Sequence, residues 1–151
     1  MWKIQPAKAA GAIAVEWAPK VLRLFQLCLG NQVMAESLTI DTLAEAVRQR
    51  EAITPNGIPV GLLRRALAKA EQARTVAVAA DDPVVRAVAA LPSPERAAVV
   101  LFRGIALDLD TVALVMRLDV RTVKRLCTNA ILSVQRSLSG LPVSDQRGED
   151  E

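Results

Sequence analysis

The stretch LDLDTVALVMRLDVRTVKRL, from Leu107 to Leu126, decides the fold of the C-terminal part of this chain. It contains no glycine and no proline, yet the helical spacing of its apolar residues breaks once, at the three residues 117–119. Asp108 and Asp119 each precede a helical pattern, and aspartate is a favoured N-cap because its carboxylate accepts hydrogen bonds from the first helical turn. The stretch therefore predicts two helices joined by a three-residue turn.

The second predicted helix separates its apolar and polar side chains onto opposite faces. Its apolar face carries Val120, Val123, Cys127, Ala130, Ile131, Val134 and Leu138. Leu132 is an apolar exception on the polar face. The candidate DNA-binding residues on that face are Arg121, Lys124, Arg125, Thr128 and Asn129, with Thr122 at its edge.

These side chains are of the types that contact DNA in a helix-turn-helix. Arginine and lysine neutralise phosphates, arginine also binds guanine, asparagine binds adenine, and threonine contacts phosphate or the thymine methyl group. An ordinary helical hairpin with a solvated basic face would show the same pattern, so the pattern alone leaves both interpretations open.

Composition favours an all-α protein. The chain has 151 residues, of which 52% are hydrophobic and only 3% aromatic, and this balance suits helix-on-helix packing better than a sheet. No apolar run approaches the roughly 20 residues of a membrane helix. Glu16 and Pro19 interrupt the Ala-rich start, which makes it a poor signal peptide. We therefore expect a cytoplasmic protein with no membrane partner.

The sequence lacks the residues of common catalytic sites. It contains no histidine, which excludes the usual triads and most zinc sites, and it has no Gly-rich phosphate loop. We expect no enzymatic activity, no cofactor and no metal. Cys28 and Cys127 lie within apolar helical patterns and are predicted to be buried free thiols. The net charge of +3 is compatible with nucleic-acid binding.

Three further helices are predicted upstream, at about 11–29, 34–50 and 59–74. Gly30 would end the first, Asn31 would cap the second, and the sequence TPNG at 54–57 would form a turn before the third. The first helix has an apolar repeat at three- and four-residue steps: Val15, Ala18, Leu22, Phe25 and Leu29. The apolar positions of the second helix include Leu38, Leu43, Ala46 and Val47. The inward-facing residues of the third would be Leu62, Leu63, Ala66, Leu67 and Ala70. Three cations of the third helix would face outward: Arg64, Arg65 and Lys69.

The segment TVAVAADDP, residues 75–83, breaks these patterns and is the best candidate for a linker. Asp82 followed by Pro83 would open a short helix to Ala90, and Ser93 followed by Pro94 would open one to Arg103. The predicted organisation is two small helical domains, at 1–75 and 91–141, joined by a linker with a short helix at 76–90. A disordered acidic tail follows at 142–151.

The C-terminal half resembles region four of bacterial sigma factors, especially those of the extracytoplasmic-function (ECF) type. The resemblance runs without gaps from Ala90 to Leu138, through ALPSPERAAVVLF, ALDLDTVALVMRLDVRTVKRL and AILSVQRSL. The matching residues are Leu91, Pro92, Glu95, Arg96, Val112, Ala113, Asp119, Val120, Thr122, Val123 and Lys124. The resemblance implies that the second helix of the motif reads promoter DNA.

The N-terminal half resembles region two of the same family, through VLRLFQLCLGNQVMAESLTIDTLAEAV. Glu36, Leu38 and Asp41 match the pattern of the helix that binds the polymerase clamp. The resemblance implies that core RNA polymerase is a partner, and it also allows an anti-sigma factor. Together the two halves give the domain order of a minimal sigma factor.

The sequence departs from the family pattern at several positions, and these departures support two alternatives. Ser37 and Ile40 stand where polar or acidic residues are usual, no aromatic residue follows Arg50 in the region that helps to open promoters, and Arg117 replaces the customary glycine of the turn. One alternative is a sigma-like DNA-binding regulator that no longer serves polymerase. The other, favoured by Leu132 and the acidic tail, is a helical protein-interaction module that regulates a sigma factor.

Overall fold

Seven α-helices and one π-helical turn make up the part of the chain that the computed structural model describes, residues 6–49, 53, 57–74 and 82–140. No strand occurs among these residues, which confirms the predicted all-α class. The helices are α1 (Pro6–Leu29), α2 (Gln32–Gln49), α3 (Val60–Ala73), α4 (Pro83–Ala89), α5 (Ser93–Val99), α6 (Leu109–Met116) and α7 (Val120–Ser139), with the π-helical turn at Val100–Gly104 between α5 and α6.

Local sequence signals account for the helix ends. Gly30 adopts a left-handed φ of 68° after α1, a conformation that glycine reaches without a Cβ penalty. The Asn31 side chain accepts a hydrogen bond of 3.0 Å from the backbone N–H of Met34 at the start of α2. Asp82 caps α4 by accepting from the N–H of Val84 at 2.8 Å. The predictions for these three residues are confirmed.

The buried face of α1 differs from the predicted one. Val15 belongs to the apolar repeat that the sequence shows in this helix, but 78% of it is exposed. Among residues 11–29 of this helix, the part whose side chains the structure describes, the buried ones are Ala14, Trp17, Val21, Leu24, Phe25, Leu27, Cys28 and Leu29. The helical period of the apolar residues was predicted correctly, but near the start of α1 the predicted face is rotated from the buried one. Valine and alanine near the start of α1 have small apolar residues on both sides, so the sequence does not distinguish the buried face there. Trp17 lies in the core at 5% exposure.

Helix α1 is the centre of the packing. It contacts α2, α3, α4 and the π-helical turn, and its Leu24 and Phe25 are fully buried. Burying each such side chain stabilises the fold by about 1.5–3 kcal/mol. The same hydrophobic cluster includes side chains of the C-terminal half, among them Leu101, Val112 and Val123. The two halves therefore share one core.

The start and end of α5 correct two predictions. Ser93 is the first residue of the helix and Pro92 occupies the cap position, so Ser93 does not cap it. The Ser93 hydroxyl instead donates to the Glu71 carboxylate at 3.1 Å. The helix was predicted to reach Arg103, but after Val99 it widens into the π-helical turn. The turn ends at Gly104, where a Cβ would lie 2.5 Å from Leu27 Cδ1 of α1.

Polar contacts reinforce the seam between the two halves. Arg96 is 3% exposed and donates to the Leu91 carbonyl at 2.5 Å and to Glu71 of α3 at 2.6 Å. Arg74, after α3, donates to the Ala89 carbonyl of α4 at 2.6 Å. These bonds connect residues on either side of the segment 75–81, which lies outside the described residues, as do 54–56 and the predicted tail 142–151. The predicted domain boundaries stay a prediction.

The two cysteines are free and buried, as predicted. Cys28 and Cys127 are each 3% exposed. Burial raises the pKa of the Cys28 thiol to about 11 and also raises that of Cys127, which disfavours the reactive thiolate form of both side chains.

Candidate nucleic-acid interface

The motif predicted from Leu107–Leu126 begins with a capped helix. Asp108 accepts a hydrogen bond of 2.8 Å from the backbone N–H of Thr111, which confirms its predicted role at the start of α6. Val112, Ala113 and Val115 of this helix are buried. Helix α6 is thus held by one apolar face against the core.

The turn after α6 closes with a left-handed residue. Arg117 has a φ of 60°. The N–H of Leu118 donates to the Ala113 carbonyl at 3.0 Å, and the N–H of Arg117 donates to the Leu114 carbonyl at 3.4 Å. This is the Schellman pattern, which usually has glycine at the left-handed position. An arginine there pays a steric cost of about 1 kcal/mol that glycine avoids.

Arg64 of α3 braces this turn from the other half of the chain. Its Nε donates to the Val115 carbonyl at 2.9 Å, and its Nη2 donates to the Leu114 carbonyl at 2.7 Å. The last carbonyls of a helix lack the usual helical N–H partners. The guanidinium supplies a donor to the Val115 carbonyl and a second, shorter bond to the Leu114 carbonyl, which the Arg117 N–H also contacts. Partial burial, with a smaller effect from the nearby Arg117, lowers the pKa of Arg64.

The bracing role of Arg64 corrects the prediction that this side chain faces outward. It is only partly exposed, and its contacts lie 50 and 51 residues away in sequence. The helical pattern of α3 could place it beside the apolar face but could not identify a partner at that separation.

Helix α7 begins with a second aspartate cap. Asp119 accepts a hydrogen bond of 2.7 Å from the N–H of Thr122, as predicted. Hydrogen bonds from Thr122, with a smaller contribution from the Arg125 charge, lower the pKa of Asp119. The cap is therefore ionised at neutral pH and fixes the first turn of α7, where a helix-turn-helix presents residues to the major groove.

The polar face of α7 is open to solvent. Arg121, Lys124, Arg125, Thr128 and Asn129 are exposed, and Thr122 is partly buried at the edge of this face. We call these six residues the basic face. None of its three cations forms a salt bridge within the described part of the chain.

The opposite face of α7 packs into the protein, but not along its whole length. Val123, Cys127 and Ala130 are buried, whereas Leu138, predicted on the same stripe, is 49% exposed. Leu138 lies on the apolar side, in the last turn of α7, which ends at Ser139. Leu132 is 42% exposed on the polar side, as the sequence indicates.

The three residues predicted to bind polymerase lie on α2 with unequal exposure. Glu36 and Asp41 are exposed, and Leu38 is partly buried against the core. Two apolar side chains that the sequence analysis did not select as candidates lie on the same exposed side of the helix, Val33 at 77% and Ile40 at 67% exposure. The exposed side of α2 is thus a mixture of acidic and aliphatic groups.

Other classes of site have little support in the described residues. No group of three or more cysteine, aspartate or glutamate side chains is placed to hold a metal ion within them. Among the same residues no helix combines the length and the hydropathy needed to cross a bilayer.

Comparison with solved structures identifies the fold. The chain superposes on CnrH, solved in complex with the cytosolic domain of CnrY, with a TM-score of 0.74, 17% identity, and coverage of 89% of this chain and 95% of that one. It also superposes on the sigma factor RpoE from Bartonella quintana, solved in complex with the anti-sigma factor NepR, with a TM-score of 0.67, 16% identity, and coverage of 83% and 93%. No protein-family model and no curated protein sequence matches the chain.

These superpositions include both halves of the chain, because nine-tenths of its length is aligned in the first and more than four-fifths in the second. At such low identity the similarity establishes the fold. The all-helical fold expected from the sequence resemblance is therefore confirmed.

Proposed function

We propose, from this shared fold, that the chain is an ECF-type sigma factor that binds core RNA polymerase and promoter DNA. The observation that carries the proposal is the superposition of nearly the whole chain on the sigma factor RpoE and on CnrH. The solvent-exposed basic face on the second helix of the motif supports it independently.

DNA binding is assigned to the basic face of α7. Arg121 and Arg125 lie one turn apart, so they can contact successive positions along a groove, and Lys124 lies beside them as a phosphate contact. Thr128 and Asn129 extend the same face by one turn. The braced turn before α7 supports this function, because a base contact requires a fixed helix orientation.

Polymerase binding is assigned to the exposed side of α2. Glu36 and Asp41 supply charge, and Val33 and Ile40 supply apolar area that water would otherwise cover. Interfaces commonly combine an apolar centre with a polar rim. Leu38 would act from beneath this surface by packing α2 on the core.

An anti-sigma factor is a further proposed partner, since RpoE was solved with one. The proposed site of action is the cytoplasm, where polymerase and DNA are found. The proposed work is binding, without an enzymatic step.

The DNA assignment is tested by selecting bound duplexes from a random pool and measuring affinity for the enriched sequence. Arg121→Ala/Arg125→Ala should weaken binding by about 2–6 kcal/mol, since each lost base contact costs about 1–3 kcal/mol. The matched control is Lys20→Ala/Arg48→Ala, which removes the same charge from exposed positions of α1 and α2, away from α7. Equal losses in both variants would show a non-specific charge effect and would refute the assignment.

The polymerase assignment is tested by co-purifying the tagged chain with core RNA polymerase at moderate salt. Glu36→Lys/Asp41→Lys should abolish capture, because it reverses both exposed charges on α2. The control Glu16→Lys/Asp110→Lys makes the same charge change at exposed positions of α1 and α6 and should retain capture. Failure of the unmodified, folded chain to capture core polymerase would exclude a working sigma factor.

A second candidate function is a DNA-binding regulator that does not serve polymerase. The observation in its favour is that the exposed side of α2 carries Ile40 and Ser37 where the sigma pattern is polar or acidic. Specific DNA binding through the basic face without polymerase capture would select this function over the first.

A further inference from the structure

A groove lies along the seam between the two halves of the chain. The more apolar of its two cavities, which we call the main cavity for its aliphatic lining, has a volume of about 250 Å³ and is lined by α1, α4, α5, the π-helical turn and α7. A second cavity of about 450 Å³ shares Arg23, Leu27 and Val84 with it. The walls of the main cavity are largely aliphatic: Leu27, Val84, Val88, Val99, Ile131 and Val134. We call this feature the seam groove.

Two arginines line the main cavity of the seam groove. Arg23 of α1 and Arg103 of the π-helical turn are both exposed, and neither forms a salt bridge within the described part of the chain. An aliphatic groove with two unpaired guanidinium groups is complementary to a segment that carries apolar side chains followed by carboxylates.

The apolar wall of the groove continues to the end of α7. Ile131 and Val134 are only partly buried, and Leu138, one turn further on the same side, is 49% exposed. Val84 on the opposite wall is 43% exposed. Partly covered aliphatic side chains on both walls indicate that a further segment covers them.

The chain itself supplies a segment of this chemistry immediately after α7. Residues 141–151 read LPVSDQRGEDE, in which Leu141 and Val143 come first. The carboxylates of Asp145, Glu149, Asp150 and Glu151 follow, against the single positive charge of Arg147. Gly140, the residue before this segment, ends α7 with a left-handed φ of 80°.

We propose that residues 141–151 dock into the seam groove of their own chain. Leu141 and Val143 cover the aliphatic wall of Val134 and Val84, and the carboxylates pair with Arg23 and Arg103. The occupant is this chain's own segment rather than a separate peptide because its order of apolar and acidic residues matches the groove and it begins beside one wall.

Chain geometry permits this docking without strain. Val134 lies about 9 Å from Gly140 along the axis of α7, at 1.5 Å per residue. The five residues from Gly140 to Asp145 span up to about 17 Å. A tethered segment of this length has an effective concentration of about 1 mM, so that even weak contacts suffice for occupancy.

The basic face of α7 is a less suitable site for the same segment. Arg121 lies about 27 Å before Ser139 along the helix, and the eleven residues of the segment span about 37 Å when fully extended. Reaching Arg121 would require most of that extension, would leave Leu141 and Val143 in water, and would cost more chain entropy than the nearby groove.

The docked segment would bridge helices of both halves. Its contacts with Arg23 on α1 and with Val134 on α7 would oppose separation of the halves, and a partner that enters the seam would have to displace it. This inference does not depend on the proposed sigma function, because it concerns only contacts within the chain.

Paramagnetic labelling of the full chain tests the proposal. A nitroxide on Gly148→Cys should broaden the methyl resonances of Val84 and Leu27, while those of Val33 and Ile40 on α2 serve as the distant reference. The chain without Gly148→Cys, taken through the same labelling, controls for reaction at the buried native thiols.

The charge requirement is tested in the same labelled chain. Arg23→Gln/Arg103→Gln should restore the intensity of the groove methyls, whereas Arg121→Gln/Arg125→Gln should leave them broadened. Broadening centred on the Thr128 methyl, which only the second variant relieves, would place the segment on the basic face and overturn the proposal. Broadening no stronger at the groove than at the distant reference would also overturn it.

Discussion

Replacing Arg96 by alanine is the sharpest test of how the two halves are joined. This side chain is 3% exposed, and its guanidinium donates to the Leu91 carbonyl at 2.5 Å and to the Glu71 carboxylate at 2.6 Å. The first bond lies within the C-terminal half and the second crosses to α3. Arg96→Ala removes both and leaves the Leu91 carbonyl without this donor.

The expected loss of stability follows from these contacts. A hydrogen bond with a charged partner contributes about 1.5–3 kcal/mol, and the buried bond to Leu91 belongs in that range. The Glu71 side chain is 50% exposed, so water screens its share to about 1 kcal/mol or less. With lost packing of the aliphatic stem, Arg96→Ala should lower the free energy of unfolding by about 3 kcal/mol and the Tm by roughly 6–12 °C.

Urea unfolding followed by circular dichroism measures the loss, with Glu71→Gln as the matched partner variant. Glu71→Gln keeps an acceptor for Arg96 and removes only the charge, so it should cost about 1 kcal/mol or less. An Arg96→Ala chain within about 0.5 kcal/mol of the parent would refute the reasoning. So would a Glu71→Gln chain as unstable as Arg96→Ala, since the exposed carboxylate would then dominate.

Three further outcomes are expected. Arg117→Gly should raise the urea midpoint by an amount equivalent to about 1 kcal/mol, because glycine takes a φ of 60° without strain; a lower midpoint would contradict the left-handed turn. Asp108→Asn/Asp119→Asn should destabilise the chain at neutral pH, and the difference from the parent should shrink as pH falls below the ordinary aspartate value of 3.8. The pKa of each aspartate is lower in the folded chain than in the unfolded chain, so its ionised form stabilises the fold above the unfolded-state pKa, and this stabilisation is lost when the carboxylate is protonated. A stability difference that did not change with pH would contradict this reasoning. Cys28 and Cys127 should react with a thiol reagent at pH 8 far more slowly in the folded chain than in denaturant, and equal rates would show that burial does not protect them.

Sequence alone could predict those parts of the fold that depend on neighbouring residues. Asn31, Asp82, Asp108 and Asp119 were each assigned a capping role, and each accepts the expected hydrogen bond. Such caps satisfy N–H groups two or three residues away, so the relevant partners are visible in a short window. The separation of the two faces of α7 was predictable for the same reason, since helical periodicity is a local property.

Contacts between distant segments could not be predicted in this way. Arg64 has the charge and the helical position of an outward-facing residue. Only the packing of α3 on α6 shows that its side chain braces the turn between α6 and α7. The buried phase of α1 was misplaced at Val15 because it depends on which helices surround it. The burial of Arg96 likewise has no local signal, as its carboxylate partner lies 25 residues earlier.

The arrangement of the helices makes the two proposed binding surfaces separable by mutation. Helix α2 packs mainly on α1 and α3, whereas α7 packs on α4, α5 and α6. The exposed residues Glu36 and Asp41 therefore share no supporting helix with Arg121 and Arg125, and substitutions at sites without common partners are usually additive. A charge reversal on α2 should leave DNA affinity unchanged, and removal of the α7 arginines should leave polymerase capture unchanged. A substitution that impaired both DNA binding and polymerase capture in a folded chain would show that the two surfaces are coupled. The contacts of Arg64 and Arg96 between the two halves would then be the route of that coupling, and Arg96→Ala should weaken the effect of one surface on the other.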